Sequence, residues 1–307
     1  MTANNLLNTK VSIGNLKLKN PVMTASGTFG YGLEFDEYMD LNSIGAIIVK
    51  GLSMDPVKGN KTPRLVETTA GIINAIGLQN IGVEAFLSDK LPKLKKYNTP
   101  VIVNVYGTSV EKYISVAERL EDTEVAAIEV NISCPNVKKG GLAFAADKQA
   151  IKAMLKGIKK VYTKPVIIKL SPNVGPLETI AKLCEDNGAD SLSLINTIVG
   201  MSVDIAGRKP RLSNIYGGLS GPAIKPVALA FVHKVSKAVK IPLIGIGGIM
   251  NWRDAIEFIM AGATAVQIGT ANFREPDASQ KVAEGIASYM RKNGIKDIKQ
   301  ITGCLNC

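Results

Sequence analysis

Three observations predict a single α/β domain, a (β/α)8 (TIM) barrel. Eight short runs rich in β-branched residues recur along the chain. They are apolar almost throughout, like strands buried on both faces of a parallel sheet. Amphipathic segments with helix start and stop residues lie between them. No linker rich in Pro, Gly or Ser interrupts the pattern, so residues 1–307 read as one domain. An open doubly wound sheet is the alternative, but eight runs are many for such a sheet at this length.

The elements follow in order. Thr9–Lys19 (TKVSIGNLKLK) carries Gly14-Asn15 at its centre, a two-residue turn that predicts an N-terminal β-hairpin. Standing before the first run, it would plug the N-terminal mouth of the barrel. The runs are VMTAS (Val22–Ser26), AIIVK (Ala46–Lys50), VIVNV (Val101–Val105), AIEVN (Ala127–Asn131), VIIKL (Val166–Leu170), SLSLI (Ser191–Ile195), LIGIGG (Leu243–Gly248) and AVQIG (Ala265–Gly269). Helices are predicted over Ser109–Leu120, with a stripe of Val110, Tyr113, Ile114 and Ala117, and over Ala146–Tyr162, where Ile151, Met154, Leu155 and Ile158 oppose lysines. Pro222–Val239 opens on a proline whose missing N–H costs nothing in a first turn. Asn251–Ala261 has an N-cap Asn at its start and Gly262 just past its end.

Composition narrows the function. A barrel of roughly 250 residues with extensions fits the 307 present. Hydrophobic residues at 46% and charged residues at 21% exclude a disordered or fibrous chain. The net charge of +11, from 37 Lys and Arg against 26 Asp and Glu, does not imply nucleic acid. The lysines are scattered at helical spacings, as in Lys152, Lys156, Lys159 and Lys160, and aromatics are only 5%, whereas nucleic-acid binding wants a clustered basic stripe with interleaved aromatics. No apolar run approaches the roughly 18 residues of a membrane span, and the first ten residues hold no signal-peptide core. Four cysteines (Cys134, Cys184, Cys304, Cys307) are too few for a disulfide framework. The expectation is a cytoplasmic protein with reduced thiols and with neither membrane nor nucleic acid as a partner.

Barrel chemistry sits at the C-terminal strand ends. There the sequence places Ser26, Lys50, Asn104, Asn131, Lys169, Asn196-Thr197, Gly247-Gly248 and Gly269-Thr270. Packing alone does not finish eight buried strands on polar, cationic or glycine residues. The glycines after the last two strands match the usual phosphate site of the fold, because glycine lets backbone N–H groups approach phosphate oxygens closely. Lys50 and Lys169 supply fixed positive charge for a carboxylate, a phosphate or an anionic ring, or else a Schiff-base amine. Three long segments after strands, containing Asn74–Leu78, Asn131–Gly141 and Ile198–Ser220, read as lids or binding loops. Cys134 lies in the second of these, over the barrel mouth. His233, the single histidine, sits on a helical apolar stripe and reads as structural, so Cys134 is the candidate general base. Cys184 reads as core. The terminal Cys304-x-x-Cys307 pair lacks the four ligands of a structural zinc site, and no metal site is expected.

NPVMTASGTFGYG (Asn20–Gly32), NAIGL (Asn74–Leu78), NISCPN (Asn131–Asn136), LINT (Leu194–Thr197), GGLSGPAIKP (Gly217–Pro226), IGIGGI (Ile244–Ile249) and GATAVQIGT (Gly262–Thr270) resemble the dihydroorotate dehydrogenase family, in order from about Leu16 to Arg274. The resemblance implies an FMN-binding barrel that oxidises (S)-dihydroorotate to orotate in pyrimidine biosynthesis. It assigns FMN to Ser26, Lys50, Gly51, Asn104, Asn131, Lys169, Ile195, Gly221, Gly247, Gly248, Gly269 and Thr270. It assigns orotate to Lys50, the loop residues Asn74, Ala75, Ile76, Gly77 and Leu78, and Asn131, Asn136, Asn196 and Thr197. Cys134 would be the base and Lys50 its catalytic companion. Cysteine in that role resembles the soluble class 1 enzymes, and GTFGYGLEF (Gly27–Phe35) with NAIGLQN looks like class 1B rather than the fumarate-linked class 1A. Class 1B implies NAD as final acceptor, an electron-transfer subunit holding FAD and a [2Fe–2S] cluster, and a homodimer at the core of a heterotetramer. The rivals are another FMN barrel acting on a dihydropyrimidine, a flavin-free Schiff-base lyase, and a phosphate-binding barrel without catalysis.

Overall fold

The structure, a computed structural model, describes residues 7–132 and 147–306. In chain order its strands are β1 (Val11–Ile13), β2 (Leu16–Leu18), β3 (Val22–Thr24), β4 (Ile47–Leu52), β5 (Leu65–Thr68), β6 (Gly71–Asn74), β7 (Val101–Val105), β8 (Ala127–Asn131), β9 (Val166–Lys169), β10 (Ser191–Leu194), β11 (Ile198–Met201), β12 (Val203–Asp204), β13 (Lys209–Pro210), β14 (Tyr216–Ser220), β15 (Leu243–Ile246) and β16 (Ala265–Ile268). Eight of them form one parallel sheet in the order β3-β16-β15-β10-β9-β8-β7-β4, which follows the chain around a circle. All eight begin within one residue of the runs predicted above.

The circle closes between β3 and β4. Met23 bridges Ala46 in parallel, and Gly45 N donates to the Val22 carbonyl at 2.7 Å. The Thr24 hydroxyl then takes over from the backbone ladder, accepting from Ile48 N at 2.9 Å and donating to Ile48 O at 3.3 Å. The barrel strands are buried from end to end, apart from the half-buried Lys50 on β4. This is why their sequences are continuous apolar runs rather than alternating ones.

The N-terminal hairpin is present as predicted. Val11 pairs with Leu18 and Ile13 with Leu16, leaving Gly14-Asn15 as the turn. Gly14 has φ +57° and lies against Asp190 and Pro165, which directly precede β10 and β9. The hairpin therefore packs at the N-terminal end of the barrel.

The helices start where their caps stand. The Val110–Glu121 helix is capped by Ser109, and the Lys148–Val161 helix by Asp147, whose carboxylate accepts from Gln149 N and Ala150 N. The Trp252–Met260 helix opens on a capping box of Asn251 and Asp254, an arrangement worth about 1 kcal/mol. Pro222–Ile224 forms a 3-10 turn before the Lys225–Ala238 helix, so the predicted start at Pro222 comes three residues early. His233 is half-buried on that helix. Among the described residues, no helix is long and apolar enough to cross a membrane.

One expectation needs correcting. Ile198–Ser220 and the segment leading to Asn74 are not irregular loops. β11, β14, β6 and β5 make a second, antiparallel sheet of four strands, and β12 and β13 add a small hairpin. The strands are short and mostly exposed on one side, and two of them meet across some 140 residues of sequence. Their apolar runs are short and broken by glycine or polar residues, so none stands out in the sequence.

Cys184 packs into the core on the Leu177–Asp186 helix, and burial pushes its thiol up to about 12. Cys304 is exposed, while Cys307 lies outside the described residues. Brief alkylation of the folded protein at pH 8, mapped by mass spectrometry, is expected to label Cys304 and leave Cys184 unmodified until the chain is unfolded.

Candidate active site

A cavity of about 510 Å3 opens at the C-terminal ends of the barrel strands, and all eight strands or the turns after them contribute to its wall. That volume lies in the usual range for a small-molecule site.

The floor is polar. Glu129, at the centre of β8, is fully buried. Its Oε1 accepts from Asn104 Nδ2 on β7 at 2.7 Å and faces Lys169 Nζ at the end of β9 at 3.5 Å. Its Oε2 accepts from Ser193 Oγ on β10 at 2.8 Å and from Gln267 Nε2 on β16 at 2.5 Å. β10 and β16 lie two and four places from β8 in the sheet, so these bonds cross the barrel interior. Lys169 Nζ also stands 3.4 Å from Ser26 Oγ. Sequence reasoning missed Glu129, yet there was a signal. A carboxylate in the middle of a run buried on both faces must find donors inside.

Lys50 is set differently. Between Val49 and Leu52 the pairing of β4 with β7 slips by one residue, a bulge that re-aims the strand at Lys50-Gly51. Lys50 lies within β4 rather than at its end and lines the cavity half-buried. Among the described residues its ammonium has no hydrogen bond or ion pair. Burial pulls its pKa below the usual lysine value, and the nearby Arg64 guanidinium adds to this, while Glu34 opposes it. Two cations, Lys50 and Arg64, thus face the same space.

Amides line another part of the wall. Asn131 Oδ1 accepts from Asn196 Nδ2 at 3.4 Å, and Asn196 Oδ1 caps Thr197 N at 2.8 Å. Asn173 Nδ2 holds the Thr197 carbonyl at 2.8 Å. Asn74 Nδ2 reaches the Gly218 carbonyl at 3.3 Å, tying the segment after β4 to β14. Ile76, Gly77 and Leu78 also line the cavity, the last two with positive φ (+76° and +57°).

On a third side Gly221, Gly247 and Gly248 take φ of +98°, +127° and +73°. A Cβ on Gly248 would stand 2.7 Å from both Lys225 Cβ and Lys225 N and 2.9 Å from Gly221 O, so only glycine fits this close approach of backbones. The 14-residue Lys225–Ala238 helix starts at this point, and Gly269-Thr270 completes the wall, with Thr270 Oγ1 bonded to Ser220 Oγ at 2.9 Å. A glycine cradle at a helix N-terminus fits a phosphate group.

The structure therefore brings together Ser26, Lys50, Gly51, Asn104, Asn131, Lys169, Ile195, Gly221, Gly247, Gly248, Gly269 and Thr270 around one cavity, with Asn74, Ile76, Gly77, Leu78, Asn196 and Thr197. Ala75 departs from the expectation. It is fully buried in a small cluster with Val66, Ile73 and Leu212 and does not line the cavity. Cys134 and Asn136 lie outside the described residues. Arg64, Glu34, Gln79 and Ser220 line the cavity without having been singled out by sequence.

The family model described as dihydroorotate dehydrogenase matches residues 8–290. The chain belongs to the dihydroorotate dehydrogenase family. Curated relatives carry the name dihydroorotate dehydrogenase B (NAD(+)), catalytic subunit. One from Geotalea uraniireducens (strain Rf4) is 57% identical over 296 residues, 96% of this chain and 97% of the relative. Others from Geobacter sp. (strain M21) and Geobacter metallireducens are 58% and 56% identical over the same shares of each chain. The glycine cradle fits the phosphate of a cofactor, and the polar groups of the floor, Lys169, Asn104 and Ser26, fit the polar edge of a flavin.

Lys50 binds an anion only while protonated. Its pKa is lowered by burial and by the nearby Arg64, so this ability is lost as pH climbs through a value below the usual 10.5. The kcat/KM profile is expected to fall on its alkaline side below that pH. Lys50→Met should remove this limb and lower kcat/KM at neutral pH by about 100-fold or more.

Proposed function

We propose that this chain is the catalytic subunit of an NAD-linked dihydroorotate dehydrogenase, oxidising (S)-dihydroorotate to orotate in pyrimidine biosynthesis. The observation that carries this reading is the half-buried Lys50, unpaired among the described residues, lining one cavity with the amides of Asn74, Asn131 and Asn196 in a family member of nearly full-length match. A dihydropyrimidine ring offers alternating C=O and N–H groups, and an amide side chain both donates and accepts. The ring carboxylate accounts for the cation. The names of the relatives specify NAD(+), which favours the NAD-linked reading over the fumarate-linked one.

In this reading Ser26, Lys50, Gly51, Asn104, Asn131, Lys169 and Ile195 hold the FMN ring, and Gly221, Gly247, Gly248, Gly269 and Thr270 hold its phosphate. Lys50, Asn74, Asn131, Asn136, Asn196 and Thr197 orient the substrate above it, with Ile76, Gly77 and Leu78 closing that side. FMN, when bound, supplies a two-electron acceptor for the hydride that leaves substrate C6. Cys134 takes the proton from C5, so the ring loses one hydride and one proton and gains a C5=C6 double bond. Lys50 and Lys169 hold positive charge fixed where negative charge accumulates. Electrons then pass to a partner subunit, for which FAD and a [2Fe–2S] cluster are proposed, and from there to NAD. A homodimer of this chain within a heterotetramer, located in the cytoplasm, completes the proposal.

Anaerobic addition of dihydroorotate to the FMN-loaded chain should bleach the flavin absorption, while dihydrouracil should not. Cys134→Ser should keep FMN but bleach at least ~100-fold more slowly at pH 7, because a serine hydroxyl is a far weaker acid than a thiol. Bleaching at the wild-type rate would remove Cys134 from its role. The isolated chain is also expected to reduce artificial acceptors with dihydroorotate but not NAD. Robust NAD reduction without a partner would refute the two-subunit reading.

A further inference from the structure

We infer that Glu129 is a positioning residue that fixes the polarity and charge balance of the cavity floor. The inference rests on the reading that a flavin occupies this cavity. Glu129 is fully buried and does not itself line the cavity, but two of its partners, Asn104 and Lys169, do.

The first consequence concerns Asn104. An amide has a donor end and an acceptor end, and packing alone does not choose between them. Here Nδ2 donates to the Glu129 carboxylate at 2.7 Å. Reversal would set Oδ1 against a carboxylate oxygen, acceptor against acceptor. The acceptor end is therefore turned outward, and Oδ1 lies 2.8 Å from the point a Cβ on Gly51 would occupy. Gly51 has no side chain there, so Glu129 decides that Asn104 shows the cavity an oxygen.

The second consequence concerns Lys169. Its Nζ is 3.5 Å from Glu129 Oε1 and 3.4 Å from Ser26 Oγ, two long contacts that leave the ammonium able to donate to a ligand. It is held from below by an opposite charge. A flavin held in the cavity would meet Lys169 partly balanced by the buried Glu129 behind it, not a full unit of positive charge. Anionic states of the ring gain from that arrangement, but less than from a lone cation. The carboxylate thus tempers Lys169 and keeps the reduced ring a willing electron donor, which a relay to a partner requires.

Glu129→Gln tests this with little change of shape. Gln267 Oε1 is buried without a hydrogen-bond partner among the described residues, so Gln267 can turn its amide and accept from the new side-chain N–H. In the FMN-loaded enzyme two readouts respond to charge at the ring, and packing alone moves neither. These are the affinity for sulfite, which adds to oxidised flavin as an anion, and the flavin midpoint potential. With FMN retained, Glu129→Gln is expected to lower the sulfite Kd about tenfold and to raise the midpoint potential, as removal of one buried negative charge near the ring should. A sulfite Kd within twofold of wild type, or a higher one, overturns the proposal. Should Glu129→Gln fail to fold or to hold FMN, Glu129→Asp carries the test. It keeps the charge but draws it back by one methylene, which lessens its opposition to Lys169. The sulfite Kd should then fall at least threefold, and a Kd within threefold of wild type, or a higher one, overturns the proposal. A wild-type chain that takes up no flavin would instead bring down the functional reading, and this proposal with it.

Discussion

A carboxylate without water survives in a protein interior only when donors meet it from fixed directions. Glu129 imposes that requirement on this barrel. Its donors come from β7, β9, β10 and β16, so the mutual position of five strands is tied to one side chain. Closure at β3 and β4, where the Thr24 hydroxyl stands in for the ladder, keeps those strands on a circle. The floor follows from both conditions, and the amide, cationic and glycine walls stand on that floor.

The two lysines show how one residue type is given two tasks by its setting. Lys169 is buried and paired at the end of a regular strand. Lys50 is unpaired among the described residues, half-buried, and turned into the cavity by a bulge. The former lends a damped field to whatever lies on the floor. The latter shares the cavity wall with Arg64, an arrangement suited to a ligand that brings its own negative charge. The many lysines on helix faces, such as Lys156, Lys159 and Lys160, are exposed. The net charge of +11 therefore says little about the site.

The barrel was legible because burial on both faces leaves a mark that needs no partner to be read. AIEVN and VIIKL are strands whatever lies beside them, Asn251 announces its helix, and the apolar stripes of Ser109–Leu120 and Ala146–Tyr162 mark theirs to within a few residues. The second sheet left no such mark. β6 and β14 depend on each other across the length of the chain, and GIIN or YGGLS alone has no period to detect. Strand-end polarity located most of the site for the same reason it located the barrel, since a polar residue finishing a buried strand is a local anomaly. It could not separate Ala75 from its neighbours, because facing the cavity or facing Val66 is decided by the hairpin that β6 forms with β5. Glu129 was visible as an anomaly, but its meaning depended on which strands lay across from it.

The pairing of β6 with β14 has a further bearing on how such a site changes over generations. Asn74 sits opposite Gly218 in the ladder and bonds to its carbonyl, and Thr197 fills the space where a Cβ on Gly218 would stand. Two stretches of chain that a gene keeps far apart thus share one wall. A substitution in either alters the shape offered by the other, so selectivity for a new ring cannot be acquired one residue at a time on one side. Divergence among barrels of this build should leave correlated replacements between residues 65–74 and 197–220, a record of joint adjustment.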